Sequence, residues 1–170
     1  MNGKNDFSTD LEYSLENNSD EEIDGKYYKA FPHLIRIEKV IDKERQMQGI
    51  DKILIFENGH RINVDEKKRR KDYGDILLEE YSDYDKKKIG WLGREKHTDY
   101  ITYIVEPSKK IYFLPFILLQ KVWRENYMDW VTTYGRKFAQ NEFYRTSNIA
   151  VPTIVLLEKI KEAINLNSQG

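Results

Sequence analysis

The chain contains no cysteine, and this absence excludes disulfide bonds, thiolate zinc sites and cysteine nucleophiles together. Histidine is also scarce, because only His33, His60 and His97 are present and their spacing does not favour a histidine-rich metal site. No Gly-rich phosphate loop, G-x-S-x-G elbow or H-E-x-x-H motif occurs. Any bound metal ion would therefore be a hard cation with oxygen ligands, which means Mg²⁺, Mn²⁺ or Ca²⁺.

Long apolar runs are missing as well. No stretch approaches the roughly 18 residues that a membrane-spanning helix requires, and the N-terminus lacks a basic segment followed by an apolar one. We therefore expect no membrane partner, no secretory signal and a cytoplasmic location. With 170 residues, of which 39% are hydrophobic and 13% aromatic, the chain is long and apolar enough to bury one core.

Charge is distributed unevenly along the chain. Residues 1–25 contain eight acids and a single base, which leaves 27 Lys and Arg against 21 Asp and Glu in residues 26–170. The pattern predicts an acidic, poorly ordered leader over residues 1–25 and a single basic domain over residues 26–170. The net charge of +6 on that domain favours a polyanion partner. An alternative role for the leader is to compete with nucleic acid for the basic surface.

The clearest local structure signal is a β-hairpin. Two runs rich in β-forming residues, 50–56 and 61–64, flank the dipeptide Asn58-Gly59. An Asn-Gly dipeptide between two such runs is the strongest short-range hairpin signal.

Periodicity and breaker residues predict further elements on both sides of the hairpin. In chain order they are a helix over residues 34–47, the hairpin, a short helix over 75–81, a loop over 82–96, strands over 100–105 and 111–114, a helix over 116–130, an unassigned stretch over 134–148, and a helix from residue 152. This order predicts a mixed α/β (α+β) domain in which helices flank one central mixed β-sheet.

The hairpin brings three chemically active side chains together. Asp51 begins the first strand, while Asp65 and Lys67 lie on the second. Because strand side chains alternate between faces, Asp65 and Lys67 project on the same side, about 7 Å apart along the strand. The turn places Asp51 opposite the Asp65 end of its neighbour. The alternative register, with Glu66 and Lys68 facing the site, is less favoured because it would turn Ile62 and Val64 away from the core.

Two carboxylates beside an ammonium suit phosphodiester cleavage. Asp51 and Asp65, with the main-chain carbonyl of Glu66, can hold Mg²⁺ or Mn²⁺ against the scissile phosphate. Lys67 can orient or deprotonate the attacking water and counter the phosphate charge.

This arrangement resembles the signature of the PD-(D/E)xK, or restriction-endonuclease-like, superfamily. The signature is an acid, a spacer of hairpin length and then Asp/Glu-x-Lys on the adjacent strand, here Asp51 and Asp65-Glu66-Lys67. Ile50 stands where the eponymous proline would be. The resemblance covers roughly residues 33–120 and implies a restriction-endonuclease-like core. A longer string, from Arg45 to Asp75, is also similar to small proteins of phages and prophages.

The resemblance extends the set of candidate site residues. The first core helix of this superfamily often supplies another acid, for which Asp42 is the first candidate and Glu38 the second, with Gln46 one turn from Asp42. The basic stretch after the motif would contact phosphates, and an aromatic ring beside it could stack on a base. Its members are Lys68, Arg69, Arg70, Lys71 and Tyr73. Asp75 could assist the site or cap the predicted short helix.

The predicted function is metal-dependent hydrolysis of DNA, with RNA less favoured, in the cytoplasm of a bacterium or of a phage-infected bacterial cell. The alternative is a catalytically silent nuclease fold that binds nucleic acid or a host protein, for example as a phage-encoded inhibitor of host defence. A third possibility is a homodimer or a subunit of a larger nuclease complex.

Overall fold

A computed structural model describes residues 20–167 as a mixed α+β structure. Its elements, in chain order, are α1 (Asp20–Ala30), β1 (Leu34–Lys39), α2 (Lys43–Met47), β2 (Lys52–Phe56), β3 (Arg61–Arg69), β4 (Asp75–Asp83), β5 (Lys88–Ile89), β6 (Tyr100–Val105), β7 (Lys110–Pro115), α3 (Phe116–Tyr134), β8 (Arg136–Gln140), β9 (Arg145–Pro152) and α4 (Thr153–Asn167).

The strands form two sheets. The first has the order β1-β2-β3-β6-β7 and is mixed, because β3 and β6 run parallel while the other neighbours are antiparallel. The second has the order β5-β4-β9-β8 and is antiparallel throughout. The predicted mixed sheet with flanking helices is thus confirmed, and a second sheet accompanies it.

Each face of the first sheet is covered by a different part of the chain. On one face, Ile23 and Tyr27 of α1 pack against Leu54, Val64 and Ile104. On the other face lies the larger core, which joins β6 to the second sheet and to the last two long helices. Its fully buried members include Ile76, Leu78, Ile101, Leu119, Ile149 and Leu156. The strand β3 is therefore enclosed on both faces, and its alternate side chains enter different environments.

The predicted hairpin is confirmed. Strands β2 and β3 pair antiparallel, with Lys52 opposite Val64 and Ile55 opposite Arg61. Gly59 occupies the turn with a φ of 79°, a left-handed conformation that glycine adopts without steric penalty.

The predicted helix over residues 34–47 is wrong. The segment instead forms β1, which pairs with β2, followed by the five-residue helix α2. A bulge between Leu34 and Arg36 shifts the strand register, so Leu34 and Ile37 contact the same cluster although they are three residues apart. A bulged strand therefore produced the three-residue spacing that we interpreted as helical.

The predicted short helix over residues 75–81 is also wrong, because these residues form the first part of β4. Ile76, Leu78 and Glu80 alternate as buried residues, which is the two-residue period of a strand. The charge of Glu80 concealed this pattern. Its carboxylate is buried because Arg136, Tyr127 and Ser147, all distant in sequence, satisfy it.

Several later predictions agree with the structure. The strands expected over 100–105 and 111–114 are β6 and β7, the helix expected over 116–130 is α3, and the last helix begins at Thr153. The loop expected over 82–96 contains the end of β4 and the short β5, and the unassigned residues 134–148 contain β8 and the start of β9.

The predicted leader lies only partly within the described residues. Residues 1–19 fall outside them, whereas residues 20–25 belong to α1, and the division into a leader and one domain stays a prediction. Among the helices of residues 20–167, none has the length and apolar character to cross a membrane.

Candidate active site

Asp51 immediately precedes β2 and lies against β3. The β2–β3 register pairs Lys52 with Val64, and the Asp51 N–H also donates to the Val64 carbonyl over 2.8 Å. The Asp51 carboxylate accepts a 2.7 Å hydrogen bond from the Glu66 N–H. Asp51 is thus held beside the main chain of the residue that follows Asp65, and the charges of the two acids act on each other.

The Asp65 carboxylate is 1% exposed and is shared by two lysines. Lys67 Nζ contacts Oδ1, and Lys96 Nζ contacts Oδ2. Lys67 comes from the same strand two residues later, whereas Lys96 comes from the segment before β6. Two ammonium groups and two carboxylates therefore converge on the face of β3 that looks toward the larger core.

Hydrogen bonds to two earlier segments hold Lys96 in place. The N–H of its neighbour His97 donates to the Gln48 carbonyl over 3.0 Å, and the Asn63 side chain donates to the His97 carbonyl over 2.8 Å. The Asn63 N–H in turn donates to the Asp99 carboxylate over 2.7 Å. These hydrogen bonds attach the segment before β6, which carries Lys96, to Asn63 of β3, two residues before Asp65.

Trp91 closes the same side of the site. Its ring centroid lies 5.9 Å from Lys67 Nζ and 6.0 Å from Lys96 Nζ, and the residue is only 8% exposed. The main-chain N–H of Trp91 donates to the Glu79 carboxylate over 3.0 Å. An aromatic face near two ammonium groups offsets part of their mutual repulsion.

Gly49 permits the close approach of these groups. Its φ is 81°, and a Cβ at this position would lie 2.9 Å from Lys96 Cδ and 3.2 Å from Asp65 Oδ2. Any other residue would combine backbone strain with a collision against Lys96. The backbone at residue 49 is therefore part of the wall of the site.

Burial and crowding perturb the acids in opposite directions. Burial raises the pKa of Asp51, and the negative charge of Asp65 raises it further, against the opposing hydrogen bond from Glu66. Burial would also raise the pKa of Asp65, but the charges and hydrogen bonds of Lys67 and Lys96 outweigh it and lower that pKa. One acid is thus held firmly ionised while its neighbour is under electrostatic stress.

Lys96 is stressed as well. Burial lowers its pKa, and the neighbouring charge of Lys67 lowers it further, more than Asp65 and Asp51 restore. Perturbed ionisable groups that gather at one place are typical of functional sites.

The Glu66 side chain points to the opposite face of β3, toward α1. There it accepts a 2.9 Å hydrogen bond from the Tyr27 hydroxyl and pairs with Lys52 Nζ over 3.0 Å. Only the main chain of Glu66 therefore contacts the candidate site, where its N–H donates to the Asp51 carboxylate.

The predicted auxiliary residues lie before β2 and have other contacts. Asp42 caps α2 by accepting a 2.9 Å hydrogen bond from the Arg45 N–H, and the Gln46 side chain donates to the Val40 carbonyl over 2.8 Å. Glu38 lies in β1 and forms an ion pair with Arg36. The structure gives these residues local structural roles, and an auxiliary role in the site stays a prediction.

The predicted phosphate-contacting stretch is divided by the strand. Arg69 shares the site face, where it pairs with Asp75 over 2.5 Å and stacks 5.3 Å from the ring of Tyr73, which is 66% exposed. Lys68 is paired with Ile104 and therefore faces α1. Arg70 and Lys71 follow as exposed residues. Asp75 begins β4 and is not a helix cap.

The donor set can be compared with what a divalent cation requires. Within residues 20–167, no three or more acidic or histidine side chains are grouped so that they could hold an ion. Mg²⁺, however, is commonly bound by one or two carboxylates together with water and substrate phosphate oxygens. Asp51 and Asp65 satisfy that smaller requirement, provided that an ion displaces Lys96 from Asp65.

Comparisons with known proteins give no further guidance. The sequence matches no protein-family model, and neither the search of curated proteins nor the search of solved structures found a significant match.

Sequence patterns did not point to Lys96 or Trp91 as site residues. Lys96 lies in a polar loop with several other charges, so no spacing or alternation distinguishes it. Trp91 belongs to the larger core, and a buried tryptophan by itself indicates packing rather than a site. The local signal that could have identified this loop is the presence of Gly90 and Gly93 around Trp91. Gly90 allows the loop to approach β4 closely, because a Cβ at this position would lie 2.4 Å from the Glu79 carbonyl oxygen.

Proposed function

We propose that this chain is a metal-dependent nuclease of the PD-(D/E)xK type that hydrolyses phosphodiester bonds in DNA. The observation that carries the proposal is the meeting of Asp51 with the Asp65-Glu66-Lys67 segment of β3, where Asp51 accepts a hydrogen bond from the Glu66 N–H and Lys67 contacts Asp65. Two carboxylates and an amine on one sheet face are the groups this chemistry requires.

Each residue has a role in the proposed reaction. Asp51 and Asp65, assisted by the Glu66 carbonyl, would hold Mg²⁺ or Mn²⁺, which when bound polarises the phosphate and helps to ionise water. Lys67 orients the attacking water and, when it is in its neutral amine form, accepts the proton of that water. Lys96 is near enough to offset negative charge on the phosphate once it leaves Asp65.

The surrounding fold supports the same proposal. The antiparallel β1–β2–β3 unit, the parallel partner β6 and the preceding α1 together would form the restriction-endonuclease-like core. In this arrangement α1, and not the predicted helix over residues 34–47, takes the place of the first core helix. It covers the face of the sheet opposite the site, which leaves Asp65 and Lys67 on the other face.

One observation favours the alternative of a catalytically silent protein. Both oxygens of Asp65 are already engaged by lysines, so the cluster is internally compensated without a metal ion. Such a protein would use the same basic face to bind nucleic acid or a host protein, as an inhibitor of host defence would.

A cleavage assay separates the two functions. Purified full-length protein would be incubated with end-labelled single-stranded and double-stranded DNA and RNA, in Mn²⁺, in Mg²⁺ or in EDTA. Products that form only with metal, and from DNA in preference to RNA, support the nuclease. Retarded but intact nucleic acid in every condition supports the silent binder.

The variant Lys67→Ala tests the assigned base. We expect metal-dependent cleavage to fall by about 10²- to 10⁴-fold, because proton transfer to a positioned side chain contributes that much to rate. The fold should persist, since Lys96 still compensates Asp65, and circular dichroism would check this. Lys161→Ala, an exposed lysine of α4, is the control and should keep nearly full activity. Undiminished cleavage by Lys67→Ala would remove Lys67 from the mechanism.

A further inference from the structure

A second set of side chains with binding chemistry lies where β4, β8 and β9 meet. We call Tyr81, Tyr84, Lys87, Phe138 and Arg145 the aromatic–cation cluster. The ring centroids of Tyr84 and Phe138 are 4.9 Å apart, and those of Tyr81 and Tyr84 are 5.8 Å apart. Lys87 Nζ lies 3.8 Å from the Tyr84 centroid, and the Arg145 guanidinium lies 5.4 Å from Tyr84 and 5.2 Å from Phe138.

The cluster lies outside the hydrophobic core. None of its rings belongs to the buried clusters of residues 20–167 or to the side chains packed against them. Phe138 is 49% exposed, and the adjoining β8–β9 turn adds Phe143 at 83% and Tyr144 at 41%. Exposed aromatic groups gathered at one place, rather than scattered, are typical of an interaction surface.

The cations of this region exceed its unpaired acids. Asp85 is already paired with Arg145 and fixes the guanidinium against the rings. Lys87 and Lys88 are exposed in the β4–β5 hairpin, and Lys137 is exposed in β8. Among the described ion pairs, none involves these three lysines. The surface therefore combines stacking groups with available positive charge.

The strand β4 connects this surface to the candidate active site. Glu79 of β4 binds the N–H of Trp91, the residue that lies against Lys67 and Lys96. Asp83, where β4 ends beside the cluster, is four residues further on, which corresponds to about 13 Å along a strand. The cluster is thus near the site but shares no residue with it.

We propose that the aromatic–cation cluster binds single-stranded DNA that flanks the bond to be cleaved. Stacking on exposed rings needs bases that are not already stacked in a duplex, and lysines beside the rings match the phosphate backbone. A protein partner would not require this alternation of rings and cations. The inference rests on the proposed function for the choice of DNA over another polyanion and for the place of the strand beside the bond to be cleaved, whereas the binding itself does not depend on cleavage.

Binding measured without metal tests the inference separately from catalysis. The probe is a labelled oligothymidine of about 16 nucleotides, a length within the range one single-strand site covers, followed by fluorescence anisotropy in EDTA. Phe138→Ala should raise the dissociation constant about 5- to 150-fold, the effect expected from losing one base-stacking contact. Tyr28→Ala, which removes a ring of 47% exposure from α1, is the matched control and should bind like wild type.

A charge variant keeps the test decisive if Phe138→Ala fails to fold. Replacing Lys87 and Lys88 by glutamine should weaken binding and should flatten the plot of log affinity against log salt by about 1.4, since each contact to a single strand contributes about 0.7. Lys161→Gln, on α4, should leave the slope unchanged.

The outcomes separate this inference from the nuclease proposal. Wild-type affinity in Phe138→Ala and in the double lysine variant, an equal loss in Tyr28→Ala, or preference for a duplex or for RNA over the oligothymidine would each overturn it. Cluster-dependent binding without any cleavage in Mn²⁺ would support the inference and reject the nuclease. Cleavage with cluster-independent binding would do the reverse.

Discussion

Two ionic networks lie on opposite faces of β3, and they start from adjacent residues. Glu66 faces α1, where it contacts Lys52 and Tyr27, and Lys52 also pairs with Asp24 over 2.8 Å. Asp65 faces the larger core, where it contacts Lys67 and Lys96. Both networks place lysine against a carboxylate of the same strand that is buried or largely buried, so burial alone does not distinguish them.

The difference lies in how charges are balanced. Burial would lower the pKa of Lys52, but Glu66 and Asp24 outweigh it and raise that pKa. Lys96 is buried beside another ammonium group, and its pKa is lowered. A lysine surrounded by acids is stabilised by its network, whereas a lysine held next to a second cation is under stress. The direction of the lysine shift thus separates a structural network from a candidate functional one.

The largest effect that we expect is a loss of stability when the network facing α1 is disrupted. Lys52→Met leaves Glu66 and Asp24 without their buried cation, so the free energy of unfolding should fall by about 3–5 kcal/mol. Lys39→Met is the control, because Lys39 pairs with Asp20 over the same 2.8 Å but is exposed, and loss of such a pair costs about 0–1 kcal/mol. Urea denaturation measures both. If both variants lost equally little free energy of unfolding, the pairing of Lys52 with Glu66 and Asp24 would not stabilise the fold.

Lys96→Met tests the network around Asp65, on the opposite face of β3. Because Lys67 still compensates Asp65 and the repulsion between the two ammonium groups disappears, unfolding free energy should change by no more than about 1 kcal/mol. Cleavage should nevertheless fall at least about tenfold through loss of a charge near the phosphate. A loss of stability as large as that of Lys52→Met would show that the two networks are equivalent.

A further effect concerns Asp51 and depends on pH. Since its pKa is raised above the ordinary value of 3.8, the ionised form destabilises the fold at neutral pH, and the penalty fades as pH falls through the folded pKa toward 3.8. Asp51→Asn should therefore stabilise the protein by about 0.5–2 kcal/mol at neutral pH, with the gain lost near pH 4, while abolishing cleavage. Thermal unfolding across pH checks this. If Asp51→Asn were less stable than the wild type at neutral pH, that result would contradict a raised pKa of Asp51.

Local chemistry made part of the fold predictable. The Asn58-Gly59 turn needs only a left-handed glycine and two flanking β-rich runs, and it brings Asp51 against the strand that carries Asp65 and Lys67. By contrast, the period of residues 34–41 misled us because a bulge imitates helical spacing. Glu80 hid the strand β4 because the residues that satisfy its charge are 47 or more positions away in the chain.

The sequence by itself determined the hairpin, the shared face of Asp65 and Lys67, and the exclusion of thiolate and histidine-rich metal chemistry, because strand alternation, turn geometry and residue inventory act over a few neighbouring positions. Only the tertiary structure decided that Lys96 and Trp91 complete the site, that Glu66 belongs to a separate network, and that Tyr84, Phe138 and Arg145 meet. Those contacts depend on how the loop before β6 and the second sheet pack, and packing joins residues whose separation in the chain carries no pattern.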